Sequence, residues 1–206
     1  MNFKSIITVM ALILIMFMAA IETSIISLAL PTIKNSLNAG NLVSLVFTVY
    51  FIALVIANPI VGELMSRFKI INIAVVGVSL FALGSLMSGL SQTFTFLIIS
   101  RIVQGFGAGV MMSLSQIVPK LAFEIPLRYK IMGIVGSVWG ISSIIGPLLG
   151  GAILEFASWH WLFYINIPIA ILAIILVFMT FHFPDETQVQ PVSYTHLRAH
   201  ETRGNL

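Results

Sequence analysis

The chain has 206 residues, of which 59% are hydrophobic and only 8% are charged, and its mean hydropathy is +1.08. Ten basic and seven acidic side chains cannot cover a water-soluble globule of this size, although they suffice for short loops between membrane spans. The net charge of +3 forms no basic run that could follow a nucleic-acid backbone, and the lack of cysteine and of zinc-like histidine spacing argues against a metal site.

Six apolar segments reach the roughly 20 residues that a transmembrane helix needs. They run at about 6–30, 42–61, 70–90, 94–118, 131–154 and 161–183. Uninterrupted hydrophobicity favours helices, because a membrane β-strand would be about 10 residues long and would alternate apolar with polar residues. The sequence therefore predicts an all-α membrane protein whose residues 1–186 form one six-helix transmembrane bundle.

The first segment contains an acidic residue, Glu22, inside its apolar run. A charge inside the membrane costs roughly 2.5–3.5 kcal/mol on insertion scales and usually marks an ion or substrate path. Because desolvation disfavours a carboxylate, Glu22 is a candidate for gaining and losing a proton, unless it lies near enough to the outer surface to be hydrated and structural. A signal peptide is the alternative for this segment, but the apolar run continues past Glu22 to Leu30.

The fourth segment carries a second intramembrane charge, Arg101. An arginine keeps its proton, so its expected role is to steady a nearby carboxylate or to hydrogen-bond helix carbonyls. The alternative is that its side chain snorkels to an interface. Gln104 follows three residues later and lies on the same helical face as Arg101. Glu22, Arg101 and Gln104 are therefore the candidate coupling residues.

Glycines are grouped in the fourth and fifth segments. The pairs with four-residue spacing are Gly105 and Gly109, Gly136 and Gly140, and Gly146 and Gly150. Such pairs let another helix backbone approach closely, and plain packing explains most of them. Pro147 removes a backbone donor beside Gly146, and with Gly150 and Gly151 it permits a bend in the middle of the membrane. This part of the fifth segment is the candidate moving element.

Charges and aromatic side chains between the segments predict the orientation. If the amino terminus is cytoplasmic, the loops on that side carry six basic residues and the outer loops carry only Lys34. The six are Lys4, Arg67, Lys69, Lys120, Arg128 and Lys130. Trp159 and Trp161 then lie in the outer headgroup region. The prediction is a multi-pass plasma-membrane protein with a cytoplasmic amino terminus.

The apolar pattern stops after Pro184, and residues 187–206 are expected to form a polar tail. From about Val192 the tail resembles translated cloning-adaptor sequence, so this part is expected to be non-native and the chain a truncated product. An ordinary disordered cytoplasmic tail is the alternative.

Two longer motifs surround the intramembrane charges: Ala20–Ile33 contains Glu22, and Leu97–Gly109 contains Arg101. They resemble the first-helix and fourth-helix motifs of the major facilitator superfamily. Within it they are similar to the drug:proton antiporter-2 family of fourteen-span multidrug exporters. That family usually has Asp at the position of Glu22, and its fourth-helix arginine, here Arg101, is implied to take part in proton coupling.

The later segments carry two more motifs of the family in the same order. Gly146–Gly151 matches the antiporter motif of the fifth helix. Ser158–Pro168 resembles a signature with two tryptophans, an asparagine and a proline, and His160 stands where the family has Arg. The signature residues present are Trp159, Trp161, Asn166 and Pro168.

The loop between the second and third segments departs from the family pattern. The family pattern is Gly-x-Leu-x-Asp-Arg-x-Gly-Arg, and this chain keeps Gly62, Leu64 and Arg67 but has Ser66 at the acidic position. Lys69 and Ile70 likewise replace the final glycine and arginine. Because that loop resembles a charge latch on the cytoplasmic side, its gating role is in question here.

The resemblance covers about residues 5–186 and implies the amino-terminal half of a two-half transporter with a site at the membrane midplane. It implies export of amphipathic, often cationic, drugs in exchange for protons across a bacterial plasma membrane. Glu22 would be the proton or cation site, Arg101 and Gln104 the coupling pair, and Gly146–Gly151 the bending element. The proton gradient replaces any cofactor, and the expected partners are the bilayer, the drug-like substrate, and a missing carboxyl-terminal half or second copy.

Other functions fit the same residues less well. A truncated six-helix membrane fragment or subunit that transports nothing, and only associates with other chains, is the main alternative. An intramembrane enzyme finds no support, because the spans contain no nucleophile–base pair, His pair or Asp couple. A six-span channel would need a polar pore-lining stripe or a re-entrant loop, and the loops are too short to supply one.

Overall fold

The computed structural model describes residues 2–183, and within that range the chain is helical and contains no strand. The α-helices are α1 (Phe3–Ser36), α2 (Leu45–Met65), α3 (Ile70–Gly89), α4 (Phe94–Ala122), α5 (Leu127–Phe156), α6 (Trp161–Tyr164) and α7 (Asn166–Thr180). A short 3-10 helix, Gly40–Ser44, precedes α2. The polar tail lies outside the described residues, so its interpretation as adaptor sequence stays a prediction.

Six helical stretches of the described chain are long and apolar enough to cross a membrane, with α6 and α7 together forming the sixth. The predicted all-α membrane fold class is therefore confirmed. Several helices are longer than their predicted spans, since α1 has 34 residues and α5 has 30. The reason is that the apolar pattern stops at the first polar residues, whereas backbone hydrogen bonding continues through them.

The sixth predicted span is interrupted near its start. α6 ends at Tyr164 and α7 begins at Asn166. Pro168 explains the break, because its ring would clash with the carbonyl of the residue four positions earlier, which is Tyr164. Within α7, Pro168 occupies the first turn, where its missing N–H removes no helical hydrogen bond. The proline therefore places Asn166 at the very start of α7.

Helix α4 packs between α2 and α3, and its glycines make this possible. A Cβ built on Gly105 would meet the backbone of Tyr50, and one on Gly109 would meet the backbone of Leu54, both on α2. Gly107 faces the other way, against the backbone of Phe81 on α3. Two neighbouring helices thus approach α4 to backbone contact on different sides.

Helix α5 packs on α1 along one narrow stripe. Its buried residues are Ile131, Val135, Val138, Ser142, Gly146 and Gly150. Gly146 lies against Ser24 of α1, whose hydroxyl donates to the carbonyl of Ser142 over 3.0 Å. By contrast, nothing in the described chain lies within 4 Å of a Cβ built on Gly136 or Gly140. Equal glycine spacing therefore has two different structural outcomes on α5.

Candidate functional site

The two intramembrane charges form an ion pair inside the bundle. A guanidinium nitrogen of Arg101, Nη1, lies 2.6 Å from Oε1 of Glu22, and both side chains are 0% exposed. The hydrated position considered for Glu22 and the snorkelling position considered for Arg101 are therefore both wrong. Burial of two charges is costly unless they are paired and hydrogen-bonded, and here they are paired with each other.

Arg101 is fixed by further contacts on α2 and α4. Its Nε donates to the carbonyl oxygen of Val46 over 3.0 Å, and its Nη1 donates to Oε1 of Gln104 over 2.9 Å. The guanidinium carbon lies 4.2 Å from the centre of the Tyr50 ring and 5.8 Å from that of Phe163. Hydrogen bonds and aromatic faces thus surround the cation, which compensates for its loss of water.

Glu22 has a second partner on the opposite side from Arg101. The amide Nδ2 of Asn166 donates to Oε2 of Glu22 over 2.9 Å, and also to the hydroxyl of Ser85 over 2.9 Å. The Ser85 hydroxyl in turn donates to the carbonyl of Phe163 over 2.7 Å. One carboxylate on α1 therefore joins α4 through Arg101 and α7 through Asn166, with α3 behind it.

Three polar atoms of this cluster have no hydrogen-bond partner within the described chain. They are Nη2 of Arg101, Nε2 of Gln104 and Oδ1 of Asn166. Most buried polar groups in proteins are bonded, so these are unused donors and one unused acceptor beside a titratable group. The cluster can consequently exchange hydrogen bonds when the charge of Glu22 changes.

The buried cluster contains two residues that the sequence pattern did not single out, Tyr50 and Ser85. Both are 0% exposed, as are Asn166, Gln104 and the ion pair. A hydroxyl in a long apolar segment was the only signal for either residue. Many serines and threonines carry that signal in this chain, and they bond instead to a carbonyl of their own helix, as Ser100 and Ser115 do.

The predicted cytoplasmic-loop residues lie outside this cluster. Arg67 forms two hydrogen bonds with Oε1 of Glu63, at 3.0 Å from Nε and 2.7 Å from Nη2, and the two side chains are 69% and 65% exposed. Gly62 has open space around its Cα. Both residues lie at the end of α2, four positions apart, so the pair does not bridge two helices. An exposed ion pair of this kind contributes about 1 kcal/mol at most to stability.

The predicted signature residues divide between the core and the surface. Trp159 is 2% exposed and its ring stacks on His160 at 3.8 Å, whereas Trp161 is 54% exposed and packs edge-on against Tyr164. Pro168 ends the α6 turn as described above. Of the signature residues, which all lie in the described chain, Asn166 alone bonds to the ion pair, and Trp159 packs in a hydrophobic cluster.

Comparison with known families and proteins shows the family to which this chain belongs. The family model described as Major Facilitator Superfamily matches residues 12–202. The chain belongs to the major facilitator superfamily. Among relatives in this superfamily, it is 81% identical over 189 residues to the multidrug efflux pump SdrM of Staphylococcus aureus, a match that covers 92% of this chain and 42% of the pump. It is 33% identical to the multidrug transporter protein MdtP of Bacillus subtilis, over 84% of this chain and 32% of that protein.

Solved structures of the superfamily show the same fold. The crystal structure of a D-xylose–proton symporter superposes with a TM-score of 0.81 at 15% identity, over 97% of this chain and 53% of that one. The chain thus spans about a third to a half of the length of the proteins it matches, in agreement with the predicted amino-terminal half. It is a multi-pass membrane protein, and its curated relatives are transporters.

Proposed function

We propose that this chain supplies the amino-terminal half of a transporter that exports amphipathic, often cationic, compounds in exchange for protons. The observation that carries the proposal is the buried pair of Glu22 and Arg101, because a titratable carboxylate facing a fixed cation is a proton-sensitive link between helices. The 81% identity to a multidrug efflux pump supports the substrate class. The proposed transporter moves its substrate without a catalytic step and uses the proton gradient as its energy source.

Protonation of Glu22 changes what holds the bundle together. With Glu22 charged, its carboxylate attracts Arg101 and accepts from Asn166. With Glu22 neutral, Arg101 is left as an uncompensated buried cation, which favours an arrangement that gives it another partner or water. The free energy of binding a proton to Glu22 therefore differs between the arrangement in which Arg101 pairs with Glu22 and one in which Arg101 has another partner. Such a difference is the thermodynamic requirement for coupling.

The test replaces Glu22 with glutamine in a full-length transporter that contains this half. Glutamine keeps the size of the side chain and cannot carry the charge, so we expect Glu22→Gln to insert normally and to lose export driven by a pH gradient. The measurement is ethidium uptake into inside-out proteoliposomes with an imposed gradient. The expected rate is that of empty liposomes.

A matched control is Glu63→Gln, which removes a carboxylate from the exposed pair with Arg67. Because that pair joins residues of one helix end, we expect export at close to the wild-type rate. Wild-type export by Glu22→Gln would remove Glu22 from the mechanism. Equal losses in both variants would show that any lost carboxylate impairs the protein.

The partner of this half follows from the coverage of its relatives. We propose that the missing carboxyl-terminal half packs beside it in the same bilayer, with the amino terminus of this chain in the cytoplasm. The expected result is that cells producing residues 1–186 alone gain no resistance to ethidium, whereas co-production with the second half of the full-length transporter restores it. Resistance from residues 1–186 alone would favour a pair of identical halves. The measurement is growth inhibition at graded ethidium concentrations.

A further inference from the structure

The carboxylate of Glu22 is held by different kinds of partner on its two oxygens. Oε1 faces the guanidinium of Arg101, which is charged in every state of the protein. Oε2 faces the neutral amide of Asn166 at 2.9 Å. An N–H donor of this kind stabilises the charged carboxylate and not the protonated acid. Asn166 is thus placed to influence when Glu22 takes up its proton.

The segment that carries Asn166 is attached firmly to α3. The hydroxyl of Tyr164 donates to the carbonyl of Gly89 over 2.7 Å, and a Cβ on Gly89 would collide with the Tyr164 ring. Ser85, one turn earlier on α3, bonds both Asn166 and the carbonyl of Phe163. With these contacts on either side of the break between α6 and α7, the Asn166 amide has little freedom to leave Glu22.

We propose that Asn166 is a positioning residue for proton exchange: its amide holds Oε2 of Glu22 and, through Ser85, ties the proton site to α3 and α7. This inference rests on the proposed proton-coupled function. The titratable groups of the described chain that face Glu22 are Arg101 on α4 and Tyr50 on α2, while α3 and α7 contribute only Ser85 and Asn166. Within the described chain the hydrogen bond to Oε2 comes from Asn166, and the amide of Gln104 on α4 is the other neutral donor beside the carboxylate.

The test compares Asn166→Leu and Asn166→Asp in the full-length transporter. Leucine has the same number of side-chain heavy atoms as asparagine and no donor, whereas aspartate has the same shape and brings a second carboxyl group to Glu22. Ethidium binding by the purified protein is measured by fluorescence across pH, since a cation binds better once Glu22 is charged. We expect the midpoint of binding to move by about one pH unit towards alkaline pH in Asn166→Leu, because the lost hydrogen bond favoured the charged form.

The aspartate variant separates positioning from packing. It fills the same space as asparagine but has no N–H to donate to Oε2, so the packing at position 166 is kept while the hydrogen bond is lost. A positioning role predicts an alkaline displacement at least as large as that of leucine, because two neighbouring carboxylates repel. If Asn166→Leu does not fold, a wild-type midpoint in Asn166→Asp still overturns the inference.

A serine on the same helix provides the matched control. Ser88 of α3 is buried like Ser85, and its hydroxyl has no partner in the described chain. We expect Ser88→Ala to keep the wild-type midpoint. A wild-type midpoint in Asn166→Asp would overturn the inference while leaving the proposed function intact if Glu22→Gln is inactive. Wild-type export by Glu22→Gln would instead overturn the proposed function itself.

Discussion

Replacing Arg101 with methionine is expected to destabilise the full-length transporter by about 3–5 kcal/mol, since it leaves Glu22 as an unpaired buried charge. Methionine fills much of the same volume, so the loss reflects mainly the missing charge and hydrogen bonds. Arg101 also donates to the carbonyl of Val46 and to Gln104, and both acceptors lose this donor in the variant. The measurement is the free energy of unfolding in detergent, obtained by denaturant titration.

The double variant Glu22→Met with Arg101→Met tests the cause of that loss. If the destabilisation comes from an unpaired charge, removal of both charges restores most of the stability, because apolar pairs often replace buried ion pairs at little cost. Ethidium export stays absent in the double variant, since no carboxylate remains to take up a proton. Stability and transport are thus expected to separate.

The exposed pair of Glu63 and Arg67 at the end of α2 supplies the control. Arg67→Met removes the partner of Glu63, which is 65% exposed and remains solvated. The expected loss is about 1 kcal/mol at most. A loss from Arg101→Met no larger than that from Arg67→Met would contradict a dry, buried ion pair at Glu22. A double variant as unstable as Arg101→Met would show that Arg101 stabilises the bundle through its other contacts.

The sequence allowed the helices and the charged half of the cluster to be predicted for a simple physical reason. A charge inside an apolar segment is so costly that it must find a partner, and Glu22 and Arg101 were the two such charges. The spacing of Glu22 and Arg101 along the chain does not indicate that they are in contact. The free-energy cost of an unpaired charge inside the membrane does indicate it, because each charge needs a partner. Gln104 was predicted because helical geometry places it on the face of Arg101.

The neutral half of the cluster could not be predicted in this way. A serine such as Ser85 satisfies its hydroxyl equally well within its own helix, so its hydrophobic context does not indicate a partner on another helix. The position of Asn166 depends on the break that Pro168 causes and on the contact of Tyr164 with Gly89. Both follow from the packing of α3 against α6 and α7, which no local pattern contains.

The glycine pairs show the same limit of sequence patterns. Gly105 and Gly109 on α4 and Gly136 and Gly140 on α5 have the same four-residue spacing. The first pair meets the backbone of α2, whereas the second has open space around it in the described chain. Spacing predicts a surface that a helix can approach, and tertiary structure decides whether one does.

A glycine against a neighbouring backbone and a glycine in open space are expected to respond in opposite ways to replacement by alanine. A Cβ on Gly107 would lie 2.7 Å from the carbonyl oxygen of Gly77, so α3 and α4 must move apart. We therefore expect Gly107→Ala to destabilise the full-length transporter by about 1–3 kcal/mol, the usual cost of overpacking. The free energy of unfolding in detergent is the measurement, with the yield of monodisperse protein as a second one.

Gly136→Ala is the matched control, because it adds the same methyl group to a helix interior without a neighbour within 4 Å in the described chain. Alanine favours a helix over glycine by about 0.5–1 kcal/mol, so the full-length transporter is expected to become more stable by this substitution. Gly107→Ala gains the same helix propensity, and its net loss therefore understates the collision between α3 and α4. A net gain at Gly107 would contradict backbone contact between these helices, while a loss at Gly136 would place an unseen neighbour against α5.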